Sequence, residues 1–137
     1  MVLPGTPLAA KAAVSLRDCA PFPLILPKSN FANRDQLHPI FFESGMIDRG
    51  RYEAGSIELM KQLVLGGLGV AFMTRVGIEA ELDAGRLVHV PLRQAGRPVF
   101  SELGLYARAA TALPIAAEAL AQELIELLND SAARDLA

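Results

Sequence analysis

The sequence predicts an α/β fold, a three-layer lobe with a mainly parallel sheet, and three observations carry that prediction. Short apolar runs alternate with helix-period segments from Pro21 to Leu92, the order that builds βαβ units. One stretch, Gly55–Thr74 (GSIELMKQLVLGGLGVAFMT), reads in succession as helix, glycine turn and buried strand. Apolar residues make up 52% of the 137 positions, enough for a real core in one domain or two small lobes.

Within Gly55–Thr74, Ser56 is placed to accept a backbone N–H orphaned at a helix start. Ile57, Met60, Leu63 and Val64 then recur at helical spacing, with Glu58, Lys61 and Gln62 on the water side. Gly66-Gly67 ends the helix, because glycine reaches the left-handed C-cap conformation without steric cost. Leu68–Met73 is nearly all apolar, as expected of a strand covered on both faces, and Thr74 is positioned to cap the next helix.

The remaining elements follow in order. Met1–Leu3 is strand-like and runs into Pro4-Gly5. Thr6–Ala13 is a connector, and Val14–Asp18 one helical turn capped by Ser15. Pro21–Pro27 is a short buried strand with prolines confined to its ends. Lys28–Asn33 is a polar loop. Arg34–Ser44 is a helix lined by Leu37, Ile40 and Phe41, with Pro39 expected to kink it or start it as a tighter turn. Arg51–Ala54 is a brief strand, Thr74–Leu82 a helix closed by Asp83-Ala84-Gly85, and Arg86–Leu92 a strand. Arg93–Pro98 (RQAGRP) gathers charge, Gly and Pro and reads as a linker. Beyond it lie a strand, Val99–Arg108, and a helix from Pro114 to Leu128, where proline is tolerated in the first turn.

Composition narrows the function. A formal charge of −2 and a pI near 5.7 do not give the basic, clustered footprint of a nucleic-acid binder. Mean hydropathy is +0.31, yet no apolar run approaches the ~18 residues of a membrane span. The single cysteine, Cys19, leaves no internal disulfide, fits a reducing cytoplasm and reads as a small core residue. No secretory signal is visible in Met1–Ala13.

No catalytic constellation emerges, so an enzyme is not expected. His38 and His89 have no carboxylate or cysteine at ligand spacing, which leaves no metal site. Gly66-Gly67-x-Gly69 follows a helix and precedes a strand, the reverse of a dinucleotide loop. None of Ser15, Ser29, Ser44, Ser56 and Ser101 sits in a G-x-S-x-G elbow. No cofactor is implied.

Binding remains. In open α/β sheets ligands sit beyond the carboxyl ends of strands, where loops and helix N-termini converge. Two such ends are readable: Lys28, Ser29, Asn30, Phe31, Ala32 and Asn33 after the first strand, and Phe72, Met73 and Thr74 after the Leu68 run. Helix-start N–H groups suit an anion, especially a carboxylate, and Phe31 suits stacking on a flat ligand. Spacing alone favours turn-making and capping for Ser29, Asn30 and Asn33, and a core role for Phe31.

The order of motifs resembles the effector-binding domain of LysR-type transcriptional regulators, a two-lobed domain of the type II periplasmic-binding-protein kind. The resemblance rests on TPLAAKAAVSLRD (Thr6–Asp18) and PLILPKSNFANRDQLHPIFFESG (Pro23–Gly45), where Phe31, Arg34, Leu37 and Phe41 match. It continues through SIELMKQLVLGGLGVAFMT (Ser56–Thr74), ELDAGRLVHVPL (Glu81–Leu92) and LPIAAEALAQELIELL (Leu113–Leu128). Leu113 departs from the serine cap the family tends to place there.

The resemblance implies residues 1–92 as the second effector lobe, 93–98 as the hinge, and 99–137 as the returning strand and helix of an incomplete first lobe. It implies a cytoplasmic sensor for a small anionic metabolite, with the Lys28–Asn33 loop as a whole in ligand contact. DNA would be reached only through a helix-turn-helix that this chain lacks, and the membrane not at all. The unburied apolar face of the last helix implies a homo-oligomer, a dimer. The alternatives from sequence are a transporter's solute-binding protein, or an interaction module that pairs with full-length regulators.

Overall fold

Four consecutive apolar residues centre the fold. Leu24–Pro27 (β1) is buried at every position, and in the computed structural model it is the middle strand of a parallel sheet. The structure describes residues 1–29, 32–46, 50–101, 105–107 and 113–136. Gly50–Ala54 (β2) and Val70–Ala71 (β3) flank β1 in the order β2-β1-β3. Leu24 pairs with Gly50 and Val70, and Ile25 with Tyr52 and Ala71. The skipped Arg51 makes an irregularity in the β2 register.

The two faces of β1 serve two cores. Leu24 and Leu26 join Leu37 and Phe41 of α2 (Ala32–Glu43), together with Leu16 and Cys19 of α1 (Leu16–Cys19). Ile25 turns the other way, joining Met60 and Val64 of α3 (Ile57–Leu65), and Ile78 and Leu87. A strand sandwiched by helices must be apolar on both sides, which is why no alternation shows in its sequence. The three-layer α/β architecture expected from sequence is the one observed.

Helix ends are built as their residues dictate. Ser15 and Asp18 form a capping box on α1. Ser56 Oγ accepts the Leu59 N–H at 3.1 Å. At the end of α3, Gly67 N–H donates to Val64 O (2.9 Å) and Leu68 N–H to Leu63 O (3.0 Å), a Schellman motif with Gly67 at φ +73°. The same pair of bonds, Gly85 to Leu82 (3.0 Å) and Arg86 to Glu81 (2.9 Å), closes α4 (Glu79–Asp83). Glu81 ties α4 to α3: its Oε1 accepts from Lys61 Nζ (3.2 Å) and Arg86 Nη2 (3.3 Å).

Beyond β3, Met1 and Ala71 exchange hydrogen bonds of 2.9 and 3.1 Å, and Val2 and Val88 exchange a pair at 2.9 Å each. The strand-like Met1–Leu3 segment thus carries the layer outward.

Several expectations are corrected. The helix expected over Thr74–Leu82 is only Glu79–Asp83, and Thr74 caps nothing. Gly77 at φ +86° breaks the chain just before it, leaving Ile78 at the cap position without a side-chain cap bond. The Leu68–Met73 strand shortens to Val70–Ala71. The Arg86–Leu92 strand reduces to isolated bridges at Val88 and Leu92, because Pro91 has no N–H for a ladder.

Ala32 and Asn33, placed in the loop from sequence, are already helical. That helix stays α-helical through Pro39, without the expected change of type. Arg93–Pro98, read as linker from composition, forms a hairpin of β4 (Arg93–Gln94) and β5 (Arg97–Pro98). Ala95 and Gly96, at φ +48° and +78°, make its two-residue turn.

By its contacts the chain divides into two compact units, Met1–Ser101 and Glu102–Ala137. No strand is present in residues 99–101 or 105–107, where Val99–Arg108 was expected to form one; residues 102–104 and 108 lie outside the described residues. A lone strand has no ladder to join. The second unit holds α5 (Ile115–Leu136), eight residues longer than expected at its C-terminal end. Pro114 O accepts its first N–H groups from Ala117 (2.8 Å) and Glu118 (3.0 Å).

Candidate functional site

β1 and β3 are parallel neighbours, so their carboxyl ends lie on one edge of the sheet. From β1 the chain enters α2 on one face; from β3 it reaches Ile78 and Leu82, which pack with α3 on the other. Connections that leave adjacent strands toward opposite faces open a crevice at that edge, the switch point where open α/β sheets take ligands. The described residues of the two segments singled out from sequence, 28–29 with 32–33 and 72–74, follow these strand ends.

Lys28 and Ser29 are exposed at the edge, with the Lys28 N–H donating to Ala54 O at 3.1 Å. Asn30 and Phe31 lie outside the described residues. Ala32 and Asn33 open α2, so they bring helix-start N–H groups to the edge rather than loop. Phe72, Met73 and Thr74 are each half-buried. Phe72 packs against the α2-side core, its ring edge-on to Phe41 with centroids 5.6 Å apart and planes at 82°. Met73 packs against the α3-side core. Successive side chains are thus drawn to opposite cores, and this segment offers the crevice its backbone and Thr74 before its large side chains.

A third strand end was missed from sequence. β2 lies on the other side of β1, so Gly55 and Ser56 reach the same edge. A Cβ on Gly55 would stand 3.7 Å from Lys28 Cδ. The signal was present, since the rule applied to two strands applies equally to Arg51–Ala54. The N-termini of α2 and α3, with Lys28 beside them, give the edge positive character. Arg34, on the first turn of α2, lies 3.9 Å from Glu53.

Cys19 and Asp18 belong to the α1 region rather than to this edge. Cys19 is buried in the α1 core, where desolvation pushes its thiol up to about 11, so it is no thiolate nucleophile at neutral pH. Asp18 is held well below the usual carboxylate range by the Lys11 ammonium and the Ser15 hydroxyl and N–H. Among the described residues, no group of three His, Cys, Asp or Glu could hold a metal ion. No helix among them is long and apolar enough to cross a membrane.

An α/β lobe with helices on both faces brings the carboxyl ends of β1 and β3 and the N-termini of α2 and α3 to one edge of its sheet. Residues 1–129 match the family described as the LysR substrate binding domain, and the chain belongs to that family. It is 29% identical over 96 residues to the HTH-type transcriptional regulator BbuR of Bordetella bronchiseptica, covering 70% of this chain and 30% of that one. To the RuBisCO operon transcriptional regulator of Acidithiobacillus ferrooxidans it is 37% identical over 71 residues, 52% of this chain and 23% of that one.

Among solved structures, a Pseudomonas aeruginosa protein assigned to the LysR family of transcriptional regulators superposes with a TM-score of 0.57 at 30% identity. That alignment covers 68% of this chain and 33% of the other. The chain therefore spans about a third or less of the length of these relatives.

Proposed function

We propose that this chain senses a small anionic metabolite as the effector-binding part of a LysR-type transcriptional regulator. The observation that carries the reading is the switch-point crevice between β1 and β3, flanked by two helix N-termini and Lys28. It gathers backbone donors suited to a carboxylate, and among the described residues no cluster of His, Cys, Asp or Glu could hold a metal ion. In this reading residues 28–33 and 72–74 are the contacts, together with Gly55 and Ser56, which follow β2 at the same edge. Residues 1–92 act as the second lobe, 93–98 as the hinge, and 99–137 as the return to the first.

The protein works without catalysis, in the cytoplasm and as a dimer. DNA contact falls to a helix-turn-helix outside this chain. Family membership favours this reading over a transporter's solute-binding protein.

The test is a titration of the isotope-labelled 137-residue chain with acetate, succinate and benzoate, followed by amide chemical shifts. The expected result is saturable movement at residues 28–33, 55–56 and 72–74. Shifts confined to other regions, or none with any of the three acids, would overturn the reading.

A further inference from the structure

Two aromatic rings join the two connections that border the crevice. Phe72 is the first residue after β3, and Phe41 belongs to α2, the helix that follows β1. Their rings meet edge-on at 5.6 Å and 82°. Phe41 is 6% exposed and sits in the core cluster with Leu24, Leu26 and Val70, residues of β1 and β3. A T-shaped pair holds both a distance and an angle, because the positive ring edge seeks the negative face. Aliphatic contacts in the same cluster fix neither.

Backbone bonds tie the strands at both ends: Val70 N–H donates to Pro23 O (3.0 Å) at the amino ends of β1 and β3, and Lys28 N–H to Ala54 O (3.1 Å) at the carboxyl edge. The pairing of β1 with β3 ends at Ile25 and Ala71. Beyond that point, among the described contacts, the ring of Phe72 is what fastens residues 72–74 to the α2 face.

We propose that Phe41 is a positioning residue for the effector crevice: through Phe72 it sets how far residues 72–74 stand from Lys28, Ser29 and the start of α2, and so how wide an anion the edge accepts. The inference rests on the crevice being the ligand site. Its structural half can be judged without any ligand.

The experiment is amide hydrogen exchange on the 137-residue chain. Phe41→Leu and Phe72→Leu each remove the ring pair. Phe72→Tyr keeps it, with the added hydroxyl on a half-buried ring able to reach water. Leu37→Ala, at a buried α2 position in the same cluster, supplies the comparison for a general loss of core packing.

Both leucine variants should speed exchange at residues 71–74 and 28–29 about three- to tenfold, the range of one aromatic pair. Phe72→Tyr should stay within twofold of the unmodified chain. Leu37→Ala should leave those amides no faster than its overall loss of stability accounts for. If Leu37→Ala opens the edge as much as the ring deletions, or if the leucine variants leave it unchanged, the proposal is overturned. Should Phe41→Leu not fold, Phe72→Leu against Phe72→Tyr carries the comparison.

A second arm reads selectivity. Phe41→Leu should change the ratio of benzoate to acetate affinity at least threefold, and an unchanged ratio overturns the width claim. If the unmodified chain binds neither acid, the reading of the crevice as ligand site falls, while the exchange result still decides whether Phe41 positions the edge.

Discussion

Gly67 and Gly69, two residues apart, behave differently. Gly67 is at φ +73° with open space where a Cβ would go, the nearest atom being Leu3 Cδ1 at 3.9 Å. Gly67→Ala therefore meets only the left-handed backbone cost, about 1–2 kcal/mol. Gly69, at φ +153°, would place a Cβ 2.1 Å from Pro23 O, and that carbonyl cannot retreat because it accepts the Val70 N–H at 3.0 Å. Gly69→Ala is expected to cost about 3–5 kcal/mol, or to prevent folding. Thermal melts of the two alanine variants check this, and equal losses would refute the distinction. The role of Gly67 as a helix-ending glycine is legible in sequence; the close approach at Gly69 needs the partner strand and is not visible in the order of residues.

Asp18 gives a prediction in pH. Its carboxyl is depressed below its ordinary value of 3.8, first by the Lys11 hydrogen bond and then by Ser15. A group with a depressed folded value stabilises fully above the unfolded value and loses that contribution as pH falls through the folded one. The gap in melting temperature between the unmodified chain and Asp18→Asn should be present at pH 6–7 and shrink steadily below about pH 4. The side chain is 31% exposed, so solvent screens the pair and keeps the gap small. A gap that widens on acidification would contradict the assignment.

Among the elements, α3 was the most legible because every signal in it is local. Its cap, its apolar spacing and its terminal glycines act within a few residues of one another. Ser56→Ala should remove the acceptor for the Leu59 N–H and destabilise by about 0.5–2 kcal/mol, measured by denaturant unfolding; a loss below ~0.3 kcal/mol would show the cap is idle. Legibility failed where long-range partners decide. The path from Thr74 to Ile78 reads as helix by period, but Gly77 and the burial of Ile78 against α3 set it. Arg93–Pro98 has a linker's composition, and its hairpin needs positive φ at Ala95, a residue that does not advertise it. At the crevice, the convergence of β1 and β3 was readable from order alone. That Phe72 and Met73 would be drawn into separate cores was not, because it depends on which helix covers which face.

At the scale of the whole molecule, the decisive feature is the last helix. Leu120 (60% exposed), Leu124 (36%), Ile125 (43%) and Leu127 (62%) stand on α5 outside any core of the described residues. Leaving such side chains in water forgoes up to about 1.5–3 kcal/mol each relative to full burial. Their spacing of three and four residues lines most of them along one stripe, the form of surface that marks an interface or an aggregation site. The acidic neighbours Glu118, Glu123 and Glu126 favour an antiparallel arrangement over a parallel one, since in register they would oppose their own copies. A two-fold pair satisfies both demands at once. The chain alone is therefore expected to elute as a species of twice 14.6 kDa in size exclusion with light scattering at micromolar concentration. Leu120→Glu with Leu124→Glu should return it to a monomer with the first unit's melting transition unchanged. A monodisperse species of 14.6 kDa from the unmodified chain would end the dimer reading and leave α5 to be covered by some other segment or partner.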